Sequence, residues 1–405
     1  MAIVNDIIAA HSGGEPVEAG QLVTVNVDKV YVQDGNSPTI AKIFGDNGCN
    51  SVFDKDAVGI FFDHSVITPN IAIANRLKEA HAFATQLGVQ VFPQGAGISH
   101  VVALENGWFG PGEIVMGSDS HTCTGGAVQS LALGMGASDI AAAMMTGEAW
   151  LKVPDTVWLN IKGRPLSVTK AKDVVLHVLA TLGQEDFLYR SVEWMGPWVS
   201  ELSLDSAATV ASLGVELGAK CVFLPDGAGR PDGMRQIKPD AGGRILEVDI
   251  TDLPPMIAKP HSPSNVVSID EMYHTEIDYV FVGSCTNSRL EDIADVAHFL
   301  TGRKVSDRVH CLVTPGSKAV YLEAVEKGYI SALTEAGAVV TPPGCGSCLG
   351  TQGSIPADGD RVLSTMNRNF LGRMGNPKAE IYLSSPLVAA HAAVHGRIPS
   401  VEDLL

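Results

Sequence analysis

Four short apolar runs in this chain end on acid, imidazole or thiol side chains. Ala57-Val-Gly-Ile-Phe-Phe62 stops at Asp63-His64. Glu113-Ile-Val-Met116 leads into Gly117-Ser-Asp119-Ser120-His121. Asp278-Tyr-Val-Phe-Val282 feeds Gly-Ser-Cys285, and Ala338-Val-Val-Thr341 runs into Pro-Pro-Gly-Cys345-Gly-Ser-Cys348. Runs of this length and continuity read as strands buried on both faces, the pattern of a parallel sheet covered by helices. Such sheets bind their ligands beyond the carboxyl ends of the strands. The chain is therefore predicted to be α/β, with largely parallel sheets and its chemistry collected where these runs end.

The intervening segments fit that alternation. An apolar alternation from Leu22 to Val32 reads as one strand turning at Gln33-Asp34-Gly35, within an otherwise polar, Gly-punctuated first 40 residues. A helix is expected from Pro69 to Leu87, a short strand at Val89-Gln-Val-Phe92, and then Gly95-Ala-Gly-Ile-Ser-His100. Ser138-Asp139 reads as the cap of a helix to about Met145, closed by Gly147. Another amphipathic helix is expected from Ser288 to Leu300, stopped by Gly302. Composition shifts near Val153-Pro154 and in the Pro-rich stretch 253–263 divide the chain into blocks 1–153, 154–265 and 266–405. No internal repeat or low-complexity segment interrupts them.

The thiols define the chemistry. Glycines around Cys345 and Cys348 permit turn conformations that let both sulfurs face one centre. A third cysteine, Cys285, stands sixty residues earlier. Three thiolates without an evident fourth describe a metal centre with one open position, as catalytic sites have. Spacing alone leaves an iron–sulfur group and a zinc site completed by His310 both open. Cys49, Cys221 and Cys311 read as core cysteines and Cys123 as structural. Asp63-His64, His100 and Asp119-Ser120-His121 supply acid/base groups, and an Asp beside an imidazole fixes its tautomer and stabilises its charged form. A Lewis-acidic metal beside such groups suits elimination of a hydroxyl. Arg368 and Arg373, on a short segment after the cysteine turn, suit bidentate carboxylate binding. Gly134-Met-Gly136 lacks the third glycine of a dinucleotide fingerprint and is not expected to follow a strand.

With 45 acidic against 28 basic residues the formal charge is −17, which argues against nucleic acid and anionic membranes as partners. No apolar run approaches the ~18 residues of a membrane span. Seven cysteines in a chain of this size speak for a reducing compartment rather than a disulfide framework. The N-terminal residues carry no basic region of a secretory or transit signal. A cytoplasmic protein is expected.

Together, Gly-Ser-Asp119-Ser-His121-Thr, Gly-Ser-Cys285-Thr-Asn and Gly-Cys345-Gly-Ser-Cys348 resemble the aconitase superfamily, in the branch whose 3-isopropylmalate dehydratase-type enzymes have a separate large subunit. The similarity runs from Gln33-Asp34-Gly35 to Gly372-Arg373. It implies α/β/α sandwiches around a cluster-binding cleft, without the swivelling domain of single-chain members. It implies one 4Fe-4S cluster held by Cys285, Cys345 and Cys348. It assigns Asp63, His64, His100, Asp119, His121 and Glu216 to catalysis, with His64 contributing to leaving-group protonation. Gln33, Ser120, Asn287, Asn367, Arg368 and Arg373 match positions that orient substrate or cluster. Where the family has an asparagine four residues before the glutamate, this chain has Ser212. No Gly-Ser-Ser-Arg segment of the swivelling domain is found, so the resemblance implies a small-subunit partner that supplies the serine base. The implied reaction is reversible dehydration of a hydroxy diacid. 2-Isopropylmalate in leucine biosynthesis comes first; dimethylmalate, citramalate or citraconate, and homocitrate are alternatives, with a non-catalytic iron–sulfur protein as a remote one.

Overall fold

The computed structural model describes residues 2–405. Three sheets carry it. The first is fully parallel, in the order Gln90–Phe92, Val58–Phe61, Lys29–Gln33, Ile114–Gly117, Leu131–Gly134. The second, also parallel, runs Cys221–Phe223, Ser191–Met195, Thr156–Lys162, Arg244–Asp249. The third has seven strands, with Tyr279–Val282 parallel to both His310–Val313 and Arg361–Ser364, and an antiparallel edge at Met256–Ala258. Val58–Phe61 and Tyr279–Val282 are buried at every position, as continuous apolar runs require. Burying a Val or Ile side chain contributes roughly 1.5–3 kcal/mol, which favours interior rather than edge places for these strands, and both have a neighbour on each side.

Helices cover the sheets. Ile71–Leu87 begins where the Asn70 side chain accepts the Ile73 N–H and ends at Gly88 with φ of 66°. Its buried Leu77, Ala80, Phe83 and Ala84 recur at helical spacing. Ala137–Thr146 closes at Gly147, φ 73°, as expected. Its N-cap, however, is Gly136 rather than Ser138 or Asp139; Asp139 instead lies in the first turn, where a carboxylate favours the helix dipole.

Several other expectations change. Leu22 to Val32 is not one strand. Leu22–Asn26 pairs with Glu148–Lys152 in a separate antiparallel ribbon, and Lys29–Gln33 enters the first sheet. The break lies where Val27 and Asp28 send their N–H groups to Gly147 and Ile114, and the Asp28 carboxylate accepts from Ile114. Within the polar-looking N-terminus a helix, Ile3–His11, buries Ile3, Val4, Ile7 and Ile8. The Gly134-Met-Gly136 segment does follow a strand, Leu131–Gly134, and opens a helix; what it lacks is the third glycine. Cys49 is only partly buried, so it is not a core residue, whereas Cys123, Cys221 and Cys311 are buried.

The sheets are stitched beside their strand ends. Gly97 and Ser317 form an isolated antiparallel bridge, and Ser317 Oγ donates to Glu105. Gly126 lies so close to the Val222 carbonyl that any Cβ would collide with it. Among the described residues no helix is long and apolar enough to cross a membrane.

Candidate active site

Four of the segments predicted to carry chemistry meet at one small cavity. Its lining includes His64, His100, Asp119, His121, Cys285, Cys345, Cys348, Asn367 and Arg373, together with Ser284, Ile98 and Leu349. The acid/base side chains come from strand ends of the first sheet and the thiols from strand ends of the third. Asp63-His64 follows Val58–Phe61, and Asp119 follows Ile114–Gly117. Cys285 follows Tyr279–Val282, while Cys345 lies beyond Val339–Val340. His100 sits in the first turn of helix Ser99–Glu105. The second sheet's block adds Glu216, in the 3-10 turn Leu213–Leu217.

Each imidazole has a carboxylate. His64 Nδ1 lies 2.6 Å from Asp63 Oδ1, and Asp63 Oδ2 accepts the Ser99 N–H. His100 Nε2 is 3.0 Å from Asp119 Oδ1, and His121 Nε2 is 3.0 Å from Glu216 Oε1. The Tyr31 hydroxyl holds His100 Nδ1 from behind at 2.7 Å. Burial alone would disfavour charge on these groups, and the pairs reverse that. For Asp119 burial pushes upward, but hydrogen bonds from His100 and His121 hold it well below the usual carboxylate range. For His121 burial pushes downward; the Cys285 sulfur, Asp119 and Glu216 outweigh it and raise it to about 10. His64 is likewise raised, against burial, by Cys345 and Asp63.

The sulfurs are served unequally. Asn367 Nδ2 lies 3.1 Å from Cys285 Sγ, and the Ser212 hydroxyl lies 3.7 Å from it. Arg373 Nη2 lies 3.3 Å from Cys348 Sγ. Burial raises the Cys348 thiol, but Arg373 outweighs it and brings the group below its ordinary value; Cys345 is raised, chiefly by burial. Thiolate ligands need such donors. Gly346 turns the chain between the two cysteines at φ 58°, and a Cβ there would meet Thr314 Oγ1 at 2.6 Å.

These donors fit a polynuclear group better than one ion. Sulfurs around a single tetrahedral zinc stand about 3.8 Å apart, given zinc–sulfur bonds of about 2.3 Å. Among the described residues only Asp63, His64 and Cys345 form a group of three with ligand atoms all within 4.8 Å of one another, so at least one pair of the three thiols stands wider than that. The zinc reading through His310 is corrected outright. His310 is exposed and pairs with Tyr279, at the far end of the strand that leads to Cys285. Buried Asn367 Oδ1 and Asn287 Oδ1 have no hydrogen-bond partner among the described residues, a further mark of a site shaped for an additional group.

Not every expected residue lines the cavity. Gln33 is buried at its strand end, with Oε1 folded back onto the Gly35 N–H. Ser120 stands beside His121 Nδ1 at 3.4 Å. Asn287 donates to Asp292, and Arg368 Nε lies 2.7 Å from Glu216 Oε1. These four lie behind or beside the lining side chains. Three contributors went unassigned from sequence. Asp34 accepts the His64 and Ser65 N–H groups, and burial and the Asp63 charge push it up to about 6. Tyr31 positions His100, and its place in an apolar strand gave no signal. Ser284 holds a positive φ of 76° beside Cys285, which its sequence context could not reveal.

The chain is similar to known proteins over most of its length. The model of the Aconitase family (aconitate hydratase) matches residues 5–228 and 270–396. The 3-isopropylmalate dehydratase large subunit 1 of Pyrococcus abyssi is 38% identical over 100% of this chain and 99% of its own length. The 3-isopropylmalate dehydratase large subunit of Acetivibrio thermocellus is 39% identical, with 100% of both chains covered. In fold, the chain is similar to Thermococcus kodakaraensis aconitase X at a TM-score of 0.57 and 12% identity, covering 95% of this chain and 90% of that one. Full-length similarity to these large subunits, together with the family match over both cysteine-bearing and histidine-bearing segments, shows that this chain belongs to the aconitase family.

Proposed function

We propose that the chain is the cluster-bearing large subunit of a hydro-lyase that interconverts 2- and 3-isopropylmalate, in the cytoplasm, as a step of leucine biosynthesis. One observation carries the reading: three thiols and three carboxylate-paired imidazoles line a single cavity. A 4Fe-4S cluster on Cys285, Cys345 and Cys348 would supply a Lewis-acidic iron for the substrate hydroxyl. Asn367, Ser212 and Arg373 would hold those thiols as thiolates. His64, oriented through Nδ1 by Asp63, presents Nε2 as the proton donor to a departing hydroxyl. Asp119 keeps His100 and His121 in register, and Arg373 is placed for a substrate carboxylate. Arg368 acts through Glu216 rather than on substrate.

Relatives named as large subunits support a small-subunit partner, which in this reading closes the cavity and brings the base in trans. The three sheets favour three units, with the first boundary near 153 and the second drawn back from 265 to between Asp249 and Met256, because Met256–Ala258 pairs within the third sheet. The test is anaerobic reconstitution of the chain with its small subunit, followed by loss of double-bond absorbance across a panel of unsaturated diacids. Isopropylmaleate, citraconate, dimethylmaleate and homoaconitate belong on it, since Ser212 departs from the family's asparagine beside the cysteines. Hydration that disappears in Cys345→Ser is expected. No hydration of any diacid, with iron and sulfide fully loaded, would overturn the reading.

A further inference from the structure

Lys172 is fully buried, among the largest side chains in the protein that are. It stands at the start of helix Ala171–Leu182, in the second sheet's block. Its Nζ lies 2.6 Å from the Thr365 carbonyl and 2.6 Å from the Met366 carbonyl. Those two peptide groups immediately precede Asn367, which reaches Cys285 Sγ, and Arg368, which reaches Glu216.

The other side of the same segment is tied to the cysteine strand. The Thr365 N–H goes to the Phe281 carbonyl, while its hydroxyl accepts from the Gly283 N–H and donates to the Gly283 carbonyl. Thr365 is thus held from two directions, by the third sheet and by Lys172. The adjacent Asp173 accepts the Met256 N–H, so two consecutive residues anchor this helix end to the third sheet. An amine needs only two N–H groups to serve two carbonyls; burial, outweighing nearby acids, lowers Lys172 to about 7, and either protonation state keeps both bonds. Burying a lysine is costly. No surface role accounts for it here.

We propose that Lys172 is a positioning residue of the cluster site, which fixes the 365–368 backbone so that Asn367 delivers its N–H to the Cys285 thiolate and Arg368 meets Glu216. The inference rests on the proposed cluster chemistry, yet its readout does not require turnover. Removing the amine leaves two buried carbonyls without a donor, frees the segment, and withdraws a hydrogen bond from a cluster sulfur. Fewer such bonds make a cluster harder to reduce.

The test is a double-mutant cycle of Lys172→Met and Asn367→Ala on the reconstituted chain, reading reduction potential and electron paramagnetic resonance. Each single variant is expected to move the potential downward with an altered spectrum, and the double variant to add little to either. In complex with the small subunit, Lys172→Met is expected to lose about tenfold or more in kcat/KM, the scale for groups that orient metal ligands. Lys172→Gln keeps a donor on a shorter arm and should fall between wild type and Lys172→Met; it replaces Lys172→Met in the cycle should that variant fail to fold. Wild-type potential and spectrum in the Lys172 variant, or effects that simply add in the double variant, would overturn the proposal. If the wild-type complex hydrates no diacid, the hydro-lyase reading fails while the potentials still decide the role of Lys172.

Discussion

Asp119 shows how much one side chain can organise. Its Oδ1 takes the His100 ring at 3.0 Å and the His121 backbone N–H at 2.8 Å and lies 3.4 Å from the His121 ring, while Oδ2 stands 3.8 Å from His64 Nε2. Three imidazoles thus gather around one partly buried carboxylate. In Asp119→Asn one acceptor oxygen remains, but the other becomes a donor and the negative charge that helps keep His121 protonated is gone. The expected result is a fall in kcat of about 10²–10⁴-fold, the usual weight of a positioned acid/base group, with KM changed little. Steady-state kinetics of the reconstituted complex measures it, and a change confined to KM would contradict the assignment. Sequence reading paired Asp119 with its neighbour His121. That His100, from the first turn of helix Ser99–Glu105, shares the carboxylate was not legible, because hydrogen-bond partners distant in sequence depend on packing.

At the scale of elements, the cysteine turn depends on a backbone that only glycine adopts easily. Gly346 combines φ of 58° with side chains of Thr314 and Phe281 close against it. Gly346→Ala is expected to cost about 1–3 kcal/mol for the left-handed backbone. It should also lower the iron and sulfide bound per chain, because Cys345 and Cys348 flank the turn. Thermal unfolding together with metal and sulfide analysis tests both parts; normal loading and melting would show that the turn tolerates a Cβ. The Pro-Gly-Cys-Gly pattern made this turn readable in sequence. The Ile3–His11 helix was hidden because its apolar spacing spans only nine residues before glycines resume.

Across the whole molecule, the blocks are joined by buried polar contacts as well as by apolar packing. Glu193, in the second sheet, accepts the Ile3 N–H at 2.6 Å and the Trp158 indole N–H at 3.1 Å. Burial outweighs these bonds and raises its carboxyl from 4.5 to about 7. The folded protein therefore holds a proton that the unfolded chain releases earlier. This group's contribution to stability is full below about pH 4.5 and is lost progressively as pH rises to about 7. Glu193→Gln should flatten that slope in urea midpoints measured between those pH values; an unchanged slope would mean that Glu193 ionises normally. Assembly sets the second expectation at this scale. The purified chain without its small subunit should bind the cluster and turn over far more slowly than the complex, and comparable turnover would remove the need for a base in trans.

Sequence by itself determined the apolar strands that lead into the site and the three thiols, because apolar continuity and glycine turns are local properties; the second sheet's strands were not read from it. It also carried the family resemblance, which rests on motifs that survive whatever surrounds them. Only the tertiary structure decided that Leu22 to Val32 divides between two sheets, that Gln33 turns back on Gly35, and that His310 lies at the wrong end of its strand for a metal. It alone placed Asp34 and Tyr31 against His64 and His100, and the Lys172 amine against the Thr365 and Met366 carbonyls. Each of these depends on which groups meet after distant segments pack, and on the need of every buried donor and acceptor to find a partner there.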